Sequence, residues 1–115
     1  MIRSDWFKRQ LDVLVAALAA AIGLKQKGDV PGALAALDAS IRQAFGMSGQ
    51  LALGLPLEDF LNFATRGVAP TPELLDALSG LFKEWASLLQ AQGRAPEAEL
   101  ALARSQELSE RAKPS

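Results

Sequence analysis

The chain has 115 residues, of which 50% are apolar and 22% are charged, and its net charge is −1. It contains no cysteine and no histidine, which excludes disulfide bonds within it and any catalytic or metal site built on a thiolate or an imidazole. The near-neutral charge provides no broad field for a phosphate backbone, so we expect no nucleic-acid partner.

The composition favours helices throughout. Alanine and leucine dominate, tyrosine is absent and only 6% of the residues are aromatic, so helix-forming residues outnumber the β-branched and aromatic residues that fill strands. A chain of this length forms one domain with one core. We therefore expect a single all-α domain, residues 1–115, with about five helices.

The first predicted helix spans residues 4–27, with Ser4 or Asp5 near its start. Large apolar residues recur there at steps of three and four, which is the pattern of an amphipathic helix. The expected buried stripe consists of Phe7, Leu11, Leu14, Leu18 and Ile22, with Val15 and Ala19 beside it.

This segment also resembles a signal peptide, because basic residues precede an uncharged stretch from Val13 to Leu24. Asp5, Asp12 and the bulky Trp6 interrupt that pattern and favour a helix of the mature protein. The uncharged stretch is shorter than the roughly 20 apolar residues of a membrane-spanning helix. We expect a cytoplasmic protein with no membrane partner.

A tight reversal follows within the sequence "KQKGDVPGALAALDAS". Gly28 can adopt the left-handed conformation that ends a helix, Asp29 can cap the next helix, and Pro31 suits a first helical turn. The second helix is predicted to end at about Phe45, which makes residues 1–46 an antiparallel hairpin. The apolar residues that this helix presents are Ala33, Leu34, Leu37 and Ile41.

The connecting segment, residues 47–70, is rich in glycine and proline, which mark loops. One short helix is expected from about Leu57 to Thr65. Because Phe60 and Phe63 make this helix too apolar for a free linker, we expect the segment to pack over the first hairpin.

A second hairpin is predicted at residues 71–112, followed by a tail at 113–115. Thr71 can cap its first helix, with Pro72 in the first turn. A shift of 65 positions aligns the reversal of the first hairpin with "QAQGRAPEAELALARS". The shift pairs Gly28 with Gly93, Pro31 with Pro96, Ala33 with Ala98, Ala36 with Ala101, Leu37 with Leu102 and Ser40 with Ser105.

The segment "LFKEWASLLQAQGRAPEAELALARS" resembles a tetratricopeptide repeat. Small Ala86 and Ala98 lie on either side of the turn glycine Gly93, with larger apolar residues beside them, as close packing of two helices requires. The sequence departs from the family where Trp85 replaces the usual leucine and where serine replaces alanine at two equivalent positions. A repeat between the two hairpins is also missing or degenerate.

The opening "IRSDWFKRQLDVL" has a second resemblance, to short uncharacterised bacterial proteins with a tetratricopeptide-like fold. That resemblance implies a bacterial origin and the same fold, and it transfers no site.

The sequence carries little that favours enzymatic chemistry. The carboxylate pairs Glu58–Asp59 and Glu97–Glu99 could hold a cation or exchange a proton, but adjacent carboxylates on a helix diverge. No phosphate-binding glycine loop, nucleophile motif or metal-ligand spacing is present. We expect no enzyme and no cofactor.

The resemblance to tetratricopeptide repeats instead implies a binding module, since the first helix of each hairpin lines the concave face of such arrays. On the second hairpin this face comprises Lys83, Glu84, Ser87 and Gln90, whose side chains could hydrogen-bond a peptide. On the first hairpin it includes Val15, Leu18 and Ile22, which should be buried under the connecting segment or against a partner.

Two functions are compatible with these features. The first is a protein–protein interaction or adaptor module of unknown partner that can also self-associate. The alternative is a small-molecule or lipid carrier with a pocket between the first hairpin and the central helix. The residues predicted to line that pocket, or a self-association surface, are Val15, Leu18, Ile22, Phe60 and Phe63.

Overall fold

The computed structural model describes residues 2–113, with side chains from Asp5 to Lys113. The predicted all-α fold is confirmed, since the described residues form helices and connecting turns and no strand. This part of the chain has six helices against the expected five or so, namely α1 (Ile2–Gln26), α2 (Val30–Phe45), α3 (Gly49–Gly54), α4 (Leu57–Thr65), α5 (Pro72–Ala91) and α6 (Ala95–Ala112).

The first turn has the predicted local chemistry. Gly28 has φ +83°, where a residue without a Cβ is unstrained. The Asp29 side chain accepts a hydrogen bond from the Gly32 amide at 3.0 Å, which satisfies a free amide of the first turn of α2. Pro31 lies in that first turn, where it removes no helical hydrogen bond.

The second turn repeats this backbone arrangement 65 residues later. Gly93 has φ +74°, and the Arg94 amide donates to the Leu89 carbonyl at 2.9 Å, as the Asp29 amide does to the Leu24 carbonyl. The side chains differ, because Arg94 caps no amide of α6 and instead pairs with Glu97 at 2.6 Å.

The helix α5 lies at the centre of the packing. It contacts α1, α2 and α6, while α1 and α2 also pack against each other. The large side chains that α5 buries completely include Leu78, Leu81, Phe82 and Leu88. Burying these side chains removes a large apolar surface from water, and this transfer stabilises the folded domain.

The predicted buried stripe of α1 is wrong at its C-terminal end. Phe7, Leu14 and Ala21 are buried, whereas Val15 and Ile22 are 55% and 40% exposed. The buried line recurs every seven residues, or about 3.5 per turn, which keeps one side of a helix against its neighbours. The residues of the predicted stripe are on average about 3.75 positions apart, which is more than the roughly 3.6 residues of a helical turn. The predicted stripe therefore winds around the helix, away from α2 and α5.

The connecting segment contains α3, in a stretch predicted to be a loop. Ser48 caps this helix by accepting from the Leu51 amide at 3.1 Å, and Asp38 of α2 accepts from the Gly49 amide at 2.7 Å. Gly49 also provides space, since a Cβ there would overlap the Trp85 ring. The predicted helix at Leu57–Thr65 is confirmed as α4.

This segment packs against both hairpins rather than over the first alone. The Phe60 ring of α4 is fully buried and lies edge-on to Phe45 of α2 and Phe82 of α5, at centroid distances of 6.4 and 5.8 Å. Attraction between the ring quadrupoles stabilises such edge-to-face contacts, in addition to the apolar surface that they bury. The Glu58 carboxylate also pairs with Arg111 of α6.

A buried arginine fixes the connecting segment to α6. The Arg104 guanidinium donates to the Ala52 carbonyl at 2.6 Å and to the Leu55 carbonyl, both at the C-terminal end of α3, where carbonyls lack helical partners. It lies 5.2 Å from the centre of the Phe60 ring and bonds Glu107 at 3.1 Å. Arg104 thus satisfies backbone acceptors and packs against an aromatic face.

Two serines join α5 to α6. The Ser79 hydroxyl donates to the Ser105 carbonyl at 2.8 Å, and the Ser105 hydroxyl donates to the Ser79 carbonyl at 2.7 Å. This reciprocal pair requires serine at position 105, where the tetratricopeptide pattern has alanine. Ser40, at the equivalent place in the first hairpin, bonds the Leu37 carbonyl of its own helix.

Candidate functional site

The four polar residues predicted to bind a partner lie on α5, and two of them are engaged within the molecule. Lys25 of α1 donates to the Ser87 hydroxyl at 2.8 Å and lies 3.3 Å from Glu84 Oε2. The Glu84 side chain is only 17% exposed. Glu84 and Ser87 therefore join the two hairpins, whereas Lys83 and Gln90 face solvent.

Lys83, Ser87 and Gln90 line one side of a groove of about 310 Å³ between α5 and α6, which we call the α5–α6 groove. Its base consists of Ala86 and Ala98, which are almost completely buried. The remaining lining residues, on α6, are Glu99 and Leu102.

The α5–α6 groove is suited to an apolar helix face. Small residues at its base allow another backbone to approach closely, and Leu102 is 43% exposed at its side. Lys83 and Glu99 place one charge of each sign on its lining, so it presents no field of a single sign for an anionic or cationic ligand. Lys83, Ser87 and Gln90 were predicted from the sequence to form part of a partner-binding helix face, but the groove and its apolar base were not predicted.

The predicted apolar residues of α1 lie apart from the aromatic residues of α4. Val15 and Ile22 are exposed together with Ala19, on what we call the outer face of α1. Leu18 is half-buried, and its Cδ2 atom lies 3.9 Å from the position of a Cβ added at Gly80 of α5. The connecting segment does not bury the outer face of α1.

Phe60 and Phe63 do not line one pocket. Phe60 is enclosed by the aromatic rings of α2 and α5, whereas Phe63 is 54% exposed. A ligand between the first hairpin and α4 would have to displace the packed Phe60 ring. The predicted carrier pocket therefore receives no support from these two residues.

A larger cleft, of about 530 Å³, lies between α2, α3 and the turn before α6. Its lining includes Asp38, Trp85, Arg94 and Glu97. Arg94 and Glu97 pair with each other, and their hydrogen bond raises the pKa of Arg94 and lowers the pKa of Glu97. Asp38 already accepts from Arg42 at 2.7 Å and from Gly49, so these charged groups have partners within the protein.

The contacts of Asp38 hold the start of α3 against α2. Partial burial raises its pKa, but the hydrogen bonds from Arg42 and Gly49 outweigh this effect and hold the pKa below its ordinary value of 3.8. A carboxylate that stays ionised and hydrogen-bonded provides a fixed acceptor for the α3 amide.

Arg104 and Asp38 were not predicted to be structural anchors, although one pattern in the sequence points to Arg104. On α6, positions 98, 101, 105 and 108 are buried, and position 104 falls within the same face at steps of three and four. A charged residue on the buried face of a helix indicates an internal partner.

Among the described residues, no helix combines the length and apolarity needed to cross a membrane.

No protein-family model matches this chain, no curated protein matches its sequence, and no solved structure matches its fold. The resemblance to tetratricopeptide repeats therefore stays a prediction.

Proposed function

We propose that this chain is a protein–protein interaction module, and that it binds an amphipathic segment of its partner in the α5–α6 groove. The observation that carries the proposal is the exposure of Leu102 beside a base formed by Ala86 and Ala98. Grooves of this kind take up the apolar face of a helix. Lys83 and Gln90 on the lining provide polar contacts at its edge.

Two predictions from the sequence belong to this proposal. One is that the hairpins are related repeats of tetratricopeptide type, which is supported by the shared hydrogen bonds of their two turns, 65 residues apart. The other is that the protein is bacterial and cytoplasmic and acts as an adaptor without enzymatic activity. We favour an adaptor over a carrier because the Phe60 ring packs against Phe45 and Phe82 in the core, where it is not available to line a ligand pocket.

Site-specific photo-crosslinking in living cells tests the proposal. A photoreactive phenylalanine analogue replaces Leu102 in the groove or, as a matched control, Phe63, which is similarly exposed on α4. We expect protein adducts from position 102 that are absent from position 63, and their loss when Ala98→Glu fills the groove. Adduct patterns that are the same at both positions, or no adducts at all, would contradict the proposal.

A further inference from the structure

The contact between the two hairpins follows a fixed register. Leu18 of α1 lies opposite Gly80 of α5, and Lys25 lies opposite Glu84 and Ser87. Since both residue numbers increase together, α1 and α5 run parallel, and each of these residues of α1 lies opposite residues 59 to 62 positions further along the chain. The first hairpin thus offers one face and the second hairpin docks on it.

Residues 65 positions apart occupy equivalent places in the two hairpins, because the turn hydrogen bonds repeat at that interval. Leu18 and Lys25, on the docking face of the first hairpin, therefore correspond to Lys83 and Gln90 on the second, which are exposed and line the α5–α6 groove. Leu37 is fully buried in α2, but its equivalent Leu102, in the same groove, is 43% exposed. The second hairpin thus lacks the cover that the first receives.

The same correspondence holds at the other end of the molecule. The surface of α5 that docks on α1 includes Gly80, Glu84 and Ser87. Its equivalents on α1, 65 positions earlier, are the residues of the outer face, Val15, Ala19 and Ile22. One end of the molecule therefore exposes the α5–α6 groove. The other end exposes the outer face of α1, which is equivalent to the α5 surface that packs against the first hairpin.

We propose that the α5–α6 groove receives the outer face of α1 from a second copy of this chain, so that molecules stack head to tail. This inference rests on the proposed function, since it names the partner of the same groove. The contact would continue the packing already present between the two hairpins. A heterologous contact of this kind does not close on itself and allows chains of copies.

The charges of the two surfaces are complementary in this register. Carrying the contact of Lys25 with Glu84 and Ser87 forward by 65 positions places Gln90 opposite Ala19 and Ile22 of the second copy. The contact of Leu18 with Gly80, carried forward in the same way, places Lys83 opposite Val15 of the second copy, and the offset of 59 positions between Lys25 and Glu84 places Lys83 opposite Asp12 as well. Lys83 and Asp12 are both exposed, so each can bond the other across the contact.

Further along the same helices, the register places Asp76 of α5 opposite both Asp5 and Lys8 of the second copy, and all three side chains are exposed, so this position contributes little net charge preference. The opposite-charge pair of Lys83 with Asp12, at the edge of the interface, favours one orientation of the partner over others. In this register Val15 takes the place of Gly80 and Ala19 takes the place of Glu84, so the stacked contact is more apolar than the internal one.

Sedimentation velocity on the purified full chain tests this proposal. One helix face against one groove is small beside the roughly 800 Å² that each partner buries in a standard complex, so we expect association at high micromolar concentrations. The average sedimentation coefficient should rise continuously with concentration, as open-ended stacking requires. Lys83→Glu and Asp12→Lys should each weaken self-association about tenfold.

An equimolar mixture of these two variants should associate again. At one contact the glutamate introduced in the groove of the first variant faces the lysine introduced on the outer face of the second. At the alternate contact the original pair of Lys83 with Asp12 survives. The control Lys113→Glu makes the same charge change outside both surfaces and should sediment like wild type. Circular dichroism establishes that each variant is folded.

Three outcomes would overturn the proposal. The first is a wild-type chain that stays monomeric up to about 1 mM, the limit of weak specific binding. The second is self-association that either charge reversal leaves unchanged, which would indicate a symmetric dimer through one surface. The third is no recovery in the mixture. In each case, crosslinks from position 102 to a different protein would leave the proposed function standing.

Discussion

Replacing Arg104 is expected to release the connecting segment from α6. The side chain makes two charged hydrogen bonds to the Ala52 and Leu55 carbonyls and is 6% exposed. Charged hydrogen bonds contribute about 1.5–3 kcal/mol each, which sets an upper figure of about 6 kcal/mol for the two. Replacement by methionine recovers part of the cost of burying a charge. We therefore expect Arg104→Met to lower the free energy of unfolding by about 3 kcal/mol.

Urea unfolding followed by circular dichroism measures this loss, and hydrogen exchange locates it. The amides of α3 should exchange faster in Arg104→Met than in wild type, while those of α5 change less, because α3 loses the partner of its C-terminal carbonyls. Arg104→Lys should be intermediate, since an ammonium keeps the charge but lacks the planar fork that reaches two carbonyls.

The matched control is Arg94→Met, at the start of the same helix, whose ion pair with Glu97 is exposed. It should leave the unfolding midpoint within experimental error. If Arg104→Met is as stable as this control, or if α3 exchanges no faster than in wild type, then Arg104 does not anchor the connecting segment and the reasoning fails.

Two further perturbations test α3 from its other end. Gly49→Ala introduces a Cβ that overlaps the Trp85 ring, so it should lower the melting temperature and shift tryptophan fluorescence, at a cost of about 1–3 kcal/mol. Gly54→Ala, where a Cβ meets nothing within 4 Å, serves as its control, and equal melting temperatures would refute the steric argument. Because the pKa of Asp38 is lowered on folding, its contribution is complete well above pH 3.8 and is lost as the pH falls through the folded pKa. Asp38→Asn should therefore be less stable than wild type at neutral pH, with the difference shrinking below pH 3.8; a difference in unfolding free energy that does not change with pH would contradict this account.

Elements with local causes could be predicted from the amino-acid sequence alone. The first turn is predictable because Gly28, Asp29 and Pro31 act through backbone conformation and neighbouring amides. The same holds for the Thr71 cap, which accepts from the Leu74 amide at 3.2 Å. The boundaries of α4 also follow from sequence, since proline and glycine enclose a short apolar run.

Which face of each helix is covered depends on how the helices pack against one another. The α1 sequence is apolar on more than one side, so the burial of Ala21 rather than Ile22 depends on where α2 and α5 lie. The short helix α3 is held in place because Asp38 from another helix fixes its first amide. Neither position could be inferred from periodicity within one helix.

The same distinction applies to the candidate site. Lys83, Glu84, Ser87 and Gln90 were predicted on one helix, as the structure has them. Their sequence pattern could not separate Glu84 and Ser87, which contact Lys25, from the two that face solvent. That separation comes from contacts between residues about 60 positions apart, and only the packing of one hairpin on the other brings such residues together.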